Sequence, residues 1–379
     1  MRLIRATFLA AALITAGTAL AATMIVASTT LARAEVRVVA SIKPVHSLVA
    51  AVMQGVGTPD LIVAGAGSPH SHALKPSQAG QLQNADLVFW IGPELEAFLE
   101  KSITGIARKA VSVELMDSRG LSKIKVREGD DFDDHGHDDS GHDDHKGRKD
   151  DEDDDDHDDD HDDDDDHEDE GHKHDHADKS HAKRGHDDSG HDKHGHDKHG
   201  HNKHGHDEDE FNPHVWLDPL NAGAMVREIA DRLSQVDPAN AAAYAANADR
   251  IVARLNDLVT EIDAELAPVK GRGYVVFHDA YQYFETRFGV SAVGSITVSP
   301  EVLPGAERVR DLQSKVRRLD ARCVFSEPQF EPKLVVTVTE NTKAETGVLD
   351  PLGATITAGP ELYFTLIRNL AGSMRDCLS

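Results

Sequence analysis

The chain carries 24 histidines, and 19 of them lie between Asp130 and Glu210, packed among aspartates. Neutral imidazole is a good ligand for borderline metal ions, so histidine at this density points to divalent-metal binding. The pattern is sharpest where Gly190-His191-Asp192-Lys193-His194 recurs as Gly195 to His199 and, with Asn202, as Gly200 to His204. There His191, His194, His196, His199, His201, His204 and His206 fall two or three residues apart, and in a flexible chain two or three of these rings can close around one ion. Each such chelate must order its own backbone, so its affinity should be modest. The bland reading is a solvated spacer that binds metal incidentally.

The tract also accounts for nearly all of the protein's charge. It holds 36 acidic against 10 basic residues, a net of −26 out of −27 for the whole chain, so the remainder is close to electroneutral. With a single Phe and runs such as Asp153 to Asp156 and Asp162 to Asp166, it cannot bury enough apolar surface to offset the entropy of folding. It is expected to be a disordered insert without metal. Because the acidity is confined there, and nothing basic or aromatic-interleaved occurs elsewhere, no nucleic-acid partner is indicated.

Five histidines stand outside the tract: His46, His70, His72, His214 and His278. His278 ends the apolar run Tyr274 to Phe277, His70 follows Leu61 to Ala64, and Asp350 follows Gly347 to Leu349. If those runs are strands of open α/β sheets, ligands bind at their carboxyl ends, and the three groups can converge on one crevice. His214 enters from Asn212-Pro213-His214-Val215-Trp216-Leu217-Asp218-Pro219, where the insert returns. Three imidazoles and a carboxylate make a tetrahedral nitrogen–oxygen site that suits zinc. A lone histidine at a strand end is more often a satisfied polar residue than a ligand; four candidates at such ends raise the odds. His72, two residues from His70, reads as a supporting or solvent-facing residue, and His46 as a helix-terminal or supporting one. Glu327, after another strand, reads as ordering the crevice.

The elements that would position these residues follow from hydrophobic pattern. Runs at Val36 to Ile42, Leu61 to Ala64, Ala85 to Ile91 and Val111 to Leu115 alternate with helical patterns such as Pro44 to Met53 and Ser77 to Asn84. The rhythm resumes after the insert at Tyr274 to Phe277, Ser291 to Val298, Cys323 to Phe325 and Gly347 to Leu349. Alternation of this kind implies α/β architecture, with two similar lobes, each a parallel sheet flanked by helices. Between them Asp237-Pro238 offers a cap and a first-turn proline, and Ile251, Leu255, Leu258, Ile262 and Leu266 repeat at helical spacing. One long helix of roughly 45 Å over 238–268 should join the lobes, allowing tilt but resisting wide opening.

The expected organisation is therefore a leader at 1–34, a first lobe at 35–129, the insert at 130–210, the end of the first lobe at 211–237, the joining helix at 238–268 and a second lobe at 269–379. The leader shows Arg2 and Arg5, an uncharged run from Ala6 to Ala32, and Ala32-Arg33-Ala34. It reads as a secretory signal peptide cleaved after Ala34, which places the mature, soluble protein in a bacterial periplasm. An uncleaved anchor fits the length of the run but not its weakly apolar Ala, Thr and Gly content. The two cysteines, Cys323 and Cys377, in an oxidising compartment favour a disulfide over two free buried thiols.

Taken in order, Ser68-Pro69-His70 with Lys75-Pro76-Ser77, Asn84-Ala85-Asp86-Leu87-Val88, His214-Val215-Trp216-Leu217-Asp218-Pro219, Phe277-His278-Asp279-Ala280-Tyr281, Glu327-Pro328-Gln329-Phe330 and Leu349-Asp350-Pro351-Leu352-Gly353 resemble the periplasmic zinc-binding proteins of ZnuA type. The resemblance spans nearly the whole mature chain. It implies two α/β lobes on a backbone helix, an interlobe metal site, and a monomer delivering Zn²⁺ to an ABC importer made of a membrane permease with its ATPase. It implies His70, His214 and His278 as ligands, with Asp350 or a water in fourth place, and it matches the family's cysteine pair to Cys323 and Cys377. Some relatives carry a glutamate just before the first histidine, where this chain has Pro69. Manganese-type relatives place a glutamate where this chain has His278, so zinc is preferred over manganese. The alternatives are a periplasmic metal buffer or chaperone, a manganese-specific binding protein, and a zinc hydrolase. The hydrolase would need a general base for which no His-Glu-x-x-His helix exists.

Overall fold

Eight short strands, every one paired parallel, form two four-stranded sheets in this computed structural model, which describes residues 36–127, 132, 210–297 and 305–379. The first sheet contains β1 (Val38–Ile42), β2 (Asp60–Val63), β3 (Leu87–Trp90) and β4 (Val111–Glu114) in the order β2-β1-β3-β4. The second contains β5 (Tyr274–His278), β6 (Ala292–Thr297), β7 (Cys323–Ser326) and β8 (Glu345–Val348) in the order β6-β5-β7-β8. Each sheet thus repeats one topology, and each strand matches a run read from the sequence to within three residues at either end. The reason is burial: β1, β3 and β5 are covered on both faces, which requires the near-continuous apolar composition that made them visible.

The connecting helices of the first half are α1 (Lys43–Val52), α2 (Pro76–Asn84) and α3 (Ala97–Gly105). A 3₁₀ turn, Val215–Leu217, leads into α4 (Pro219–Val236), where the Asp218 side chain accepts the Leu220 amide at 2.9 Å as a helix cap. The long helix α5 (Ala241–Leu266) follows. The second half adds α6 (Gln282–Phe288), α7 (Ala306–Arg318), α8 (Lys333–Thr339) and α9 (Leu362–Leu378).

The joining helix differs from expectation at both ends. Pro238–Asn240 and Ala267–Val269 are 3₁₀ turns, and the α-helical part is 26 residues, about 39 Å. Asp237 accepts from the side chains of Asn240 and Tyr244 at 2.6 and 3.0 Å, and it closes the C-terminus of α4 instead of capping α5 with its side chain. The predicted stripe Ile251, Leu255, Leu258, Ile262 and Leu266 is buried throughout. It packs on α1 and α4 on the first side and on α9 on the second, so a single apolar cluster runs through both halves.

Period-two alternation then assigns faces in the second sheet. Tyr274 and Val276 belong to the shared cluster, whereas Val275 and Phe277 face a separate one beneath α7 and α8. His278 has the parity of the shared side. Cys323 and Phe325 likewise point to the shared cluster, which brings Cys323 beneath α9, where it is bonded to Cys377.

The leader at 1–34, and the insert at 130–210 apart from Phe132 and Glu210, lie outside the described residues, and so do the disorder and the cleavage site expected for them. Among the described residues no helix is long and apolar enough to cross a membrane.

The disulfide closes 54 residues of chain and fastens the last helix to a central strand. On the loop-entropy estimate this contributes about 4 kcal/mol. Reduction, or the double change Cys323→Ala with Cys377→Ala, is expected to lower the thermal midpoint by several degrees in calorimetry. An unchanged midpoint would show that the crosslink adds nothing to folding.

Candidate metal centre

Three histidines meet between the sheets. His278 is the last residue of β5, His214 precedes the Val215–Leu217 turn, and His70 lies on the loop after β2. Their donor atoms all lie within 4.8 Å of one another, the sole such cluster of metal-ligating groups among the described residues. His70 Nε2 is 3.4 Å from His214 Nε2, and His278 Nε2 is 3.3 Å from it. Two nitrogens bound to zinc at about 2.05 Å across a tetrahedral angle would be roughly 3.3 Å apart. The spacing is that of a zinc site.

Each position is imposed by its surroundings. His214 Nδ1 lies 2.8 Å from Asn212 Oδ1, which also accepts the His214 amide at 3.0 Å. His278 Nδ1 lies 2.7 Å from Glu327 Oε1. With those nitrogens donating, both rings present the Nε2 lone pair inward, the arrangement in which an acceptor behind the ring fixes the metal-binding tautomer. Glu327 directly follows β7, so its bond to the end of β5 bridges two adjacent strands. That is the switch point of the second sheet, where β6 and β7 depart to opposite sides of β5.

The loop that carries His70 is fixed by Gln78 in the first turn of α2. Its Oε1 accepts the Lys75 amide at 2.7 Å, and its Nε2 donates to the Ile62 carbonyl at 2.7 Å. His72 belongs to this arrangement: Nε2 lies 3.2 Å from Gln78 Oε1 and its ring rests on Phe98. It is thus half-buried support for the loop and takes no part in the cluster. His46 is buried in α1, with Nε2 3.0 Å from the Pro59 carbonyl, and is also outside the cluster.

Asp350 is not brought to the histidines. Its Oδ1 accepts from Gln329 Nε2 at 3.0 Å and the Leu352 amide at 3.2 Å, and its Oδ2 from the Ala354 amide at 2.6 Å. The physical reason lies across the interface. Lys43, the first residue of α1, donates to the carbonyls of Gly353, Ala354 and Ile356 at 2.5, 3.0 and 2.5 Å. Burial lowers its pKa, and the nearby Asp350 charge opposes that. The carboxylate therefore caps and neutralises a loop held by a buried cation.

Sequence reasoning placed the three imidazoles and the ordering role of Glu327. It missed Asn212, whose position two residues before His214 is a spacing at which asparagine bonds its own backbone. It also missed Lys43, for which no local signal exists.

The cavity among His70, His214, His278, Trp216, Glu327 and Phe330 has a volume of about 10 Å³, room for one water-sized particle. Burial, reinforced by His278, pushes His70 down to about 4, and burial with the two neighbouring rings holds His214 well below its ordinary value. Both are neutral at pH 7, the form that binds metal.

Two measurements follow. Glu327→Gln or Asn212→Ala should weaken zinc binding by 10- to 100-fold in chelator competition, as is usual when a ligand's supporting acceptor is removed; wild-type affinity in both would sever the supporting contacts from function. The second concerns pH. An unfolded imidazole takes up a proton near 6.5, but folded His70 does so only near 4. The unfolded state therefore binds more protons between these values, and metal-free protein should lose stability as pH falls through that window, by about 3 kcal/mol at most from this group. His70→Ala should flatten the decline.

The sequence was compared with known proteins. Residues 38–377 match the family described as "Zinc-uptake complex component A periplasmic". The high-affinity zinc uptake system protein ZnuA of Brucella suis biovar 1 (strain 1330) is 52% identical over 342 residues, covering 90% of this chain and 91% of that one. Among solved structures, one of ZnuA superposes with a TM-score of 0.63 at 18% identity, covering 91% of this chain and 99% of the other. The laminin-binding adhesin Lmb of Streptococcus agalactiae, in a mutant form, superposes with a TM-score of 0.62 at 20% identity, covering 91% and 100%. At such identities the likeness is one of fold.

Proposed function

The chain belongs to the family of periplasmic zinc-uptake components, and from that footing we propose that it is the high-affinity Zn²⁺ receptor of an ABC-type importer. It takes the ion at His70, His214 and His278 and presents it to a membrane permease with its ATPase. The observation that carries the reading is the convergence of three imidazoles, with His214 Nε2 lying 3.4 Å from His70 Nε2 and 3.3 Å from His278 Nε2, around a space the size of one water-sized particle. The shell is completed by a water, or by Asp350 if the loop held by Lys43 rearranges; the hydrogen bonds that occupy Asp350 favour water.

The chemistry supports transport over catalysis. A zinc hydrolase activates a bound water with a nearby base, and the carboxylate closest to the cluster, Glu327, is engaged by His278. Nitrogen donors also support zinc over manganese, which prefers oxygen. The leader would be removed after Ala34, leaving the mature protein in the periplasm. The His-rich insert would serve as a collector of lower affinity, its histidines from His191 to His206 supplying ion to the nearby His214.

Replacing His278 by Ala should abolish the tight site, with at least a hundredfold loss of Zn²⁺ affinity in competition against a chelator, and leave a folded protein. Retention of full affinity would remove His278 from the ligand set. Deleting 133–209 should instead keep one tight zinc and lower the total stoichiometry. Proton competition should separate the two classes: on acidification the insert, with solvated imidazoles, loses its metal first, and the buried centre still holds zinc near pH 6. Simultaneous loss from both would contradict the division of labour.

A further inference from the structure

The two ends of the insert form a short stem. Lys125 pairs antiparallel with Phe211, the Val126 amide donates to the Glu210 carbonyl at 3.0 Å, and the Asn212 amide donates to the Ile124 carbonyl at 2.9 Å. This stem is bolted to the segment that follows His278. The Tyr283 hydroxyl accepts the Ile124 amide at 3.1 Å and donates to the Asn212 carbonyl at 2.9 Å. The Asn212 side-chain amide donates to the Asp279 carbonyl and to Gln282 Oε1, both at 3.1 Å. Arg127 completes the attachment with its guanidinium fork: Nη1 donates to Asp279 Oδ1 at 2.9 Å and Nη2 to Glu285 Oε2. Both acids are largely withdrawn from water, with side chains 17% and 2% exposed.

The stem therefore reaches two of the three histidines at one remove, one from each half of the chain. Asn212 holds the ring of His214, and Asp279 is the chain neighbour of His278. We propose that the stem is a positioning device for the metal centre and that Arg127 is its positioning residue, an inference that rests on the three-histidine site above. Arg127 is the cation that bridges two buried carboxylates, Asp279 in the turn after β5 and Glu285 within α6. Without it they face one another unneutralised, a costly state that the turn can relieve only by moving. Because zinc tolerates only a few tenths of an ångström in its donor spacing, movement at Asp279 is movement at the site. A fork is required because the two acids lie in different directions, so lysine can satisfy only one at full strength. The tight centre thus depends on the root of the insert, whatever the remainder of the insert binds.

The test uses the full mature chain and two readouts. Zinc is chased from Arg127→Ala, Arg127→Lys and wild type with excess chelator, and the visible absorption of the Co²⁺-substituted protein reports site geometry. Release from Arg127→Ala should be about tenfold faster or more, with Arg127→Lys between it and wild type, and the Co²⁺ bands should shift or broaden. Arg254→Ala, which removes an exposed arginine fork on Glu361, should change neither readout. If Arg127→Ala does not fold, Asp279→Asn and Arg127→Lys carry the test. Wild-type release and Co²⁺ spectrum in the Arg127 variants, or lowered thermal stability alone, would overturn the proposal. His278→Ala in the same chase keeps the readings separate, since tight zinc in that variant rejects the site itself whatever Arg127 does.

Discussion

The imidazole nitrogens of His70 and His278 are held 3.4 and 3.3 Å from that of His214, an arrangement that suits a cation drawn among them. Protonated rings at that distance would repel in a poorly screened environment, which is why His70 and His214 are driven toward neutrality. Neutral rings aim their lone pairs at one another and gain nothing from doing so. The surrounding structure enforces the geometry through acceptors behind the rings, Asn212 and Glu327, and through a loop stapled by Gln78. Each of these contacts maintains a ring arrangement that an ion bound as proposed would relieve.

The repeated sheet topology explains where such a site can arise. In the second sheet the switch point between β5 and β7 carries His278 and Glu327. The corresponding point of the first sheet, between β1 and β3, carries Ser41 and Glu96, with Glu96 also accepting the Ile91 and Gly92 amides. That carboxylate is fully enclosed, and burial pushes it up to about 7, yet it is answered by donors from its own lobe and fastens two strand ends together. One topological position bears a histidine of the proposed metal centre, and its counterpart is a structural brace. The first half contributes His70 and His214 to the cluster from loops outside its sheet. Contacts across the two halves, Lys43 to the 353–356 carbonyls and Trp216 Nε1 to the Pro351 carbonyl at 2.9 Å, hold the crevice walls in register.

Much of this was legible in the sequence because it is written locally. Strands covered on both faces must be apolar runs, and a histidine at the end of such a run lands at the carboxyl edge of a sheet. The stripe of α5 is a spacing of three and four, and it packed as read. What stayed hidden depends on partners far along the chain. Arg127 finds Asp279 and Glu285 more than 150 residues away, and Lys43 finds carbonyls more than 300 residues away. No window of sequence contains either pair. Asp350 shows the same limit: its place after β8 suits a ligand, but the carboxylate accepts from the Leu352 and Ala354 amides on a loop whose carbonyls hold Lys43 from the other half. His72 was legible as support, because two residues of separation from His70 leave its ring on Phe98 and Gln78 rather than in the cluster.

The disposition of carboxylates also bears on which ion the centre prefers. Hard cations such as Mg²⁺, Ca²⁺ and Mn²⁺ gain most from charged oxygen, and a site that offered two carboxylates would serve them well. Here both nearby acids are engaged by protein donors, Glu327 by the His278 ring and Asp350 by two backbone amides and Gln329. An ion held there as proposed would meet nitrogen, with the Glu327 carboxylate one hydrogen bond behind the His278 ring. A borderline ion gains fully from three imidazoles and feels the Glu327 charge through the His278 ring, which becomes a stronger donor. A hard ion would have to give up hydration for nitrogen, and recruiting Asp350 would break the bonds that cap its loop. The preference then rests on the nitrogen donors together with the hold on Asp350, a loop whose carbonyls are tied to Lys43 from the other half.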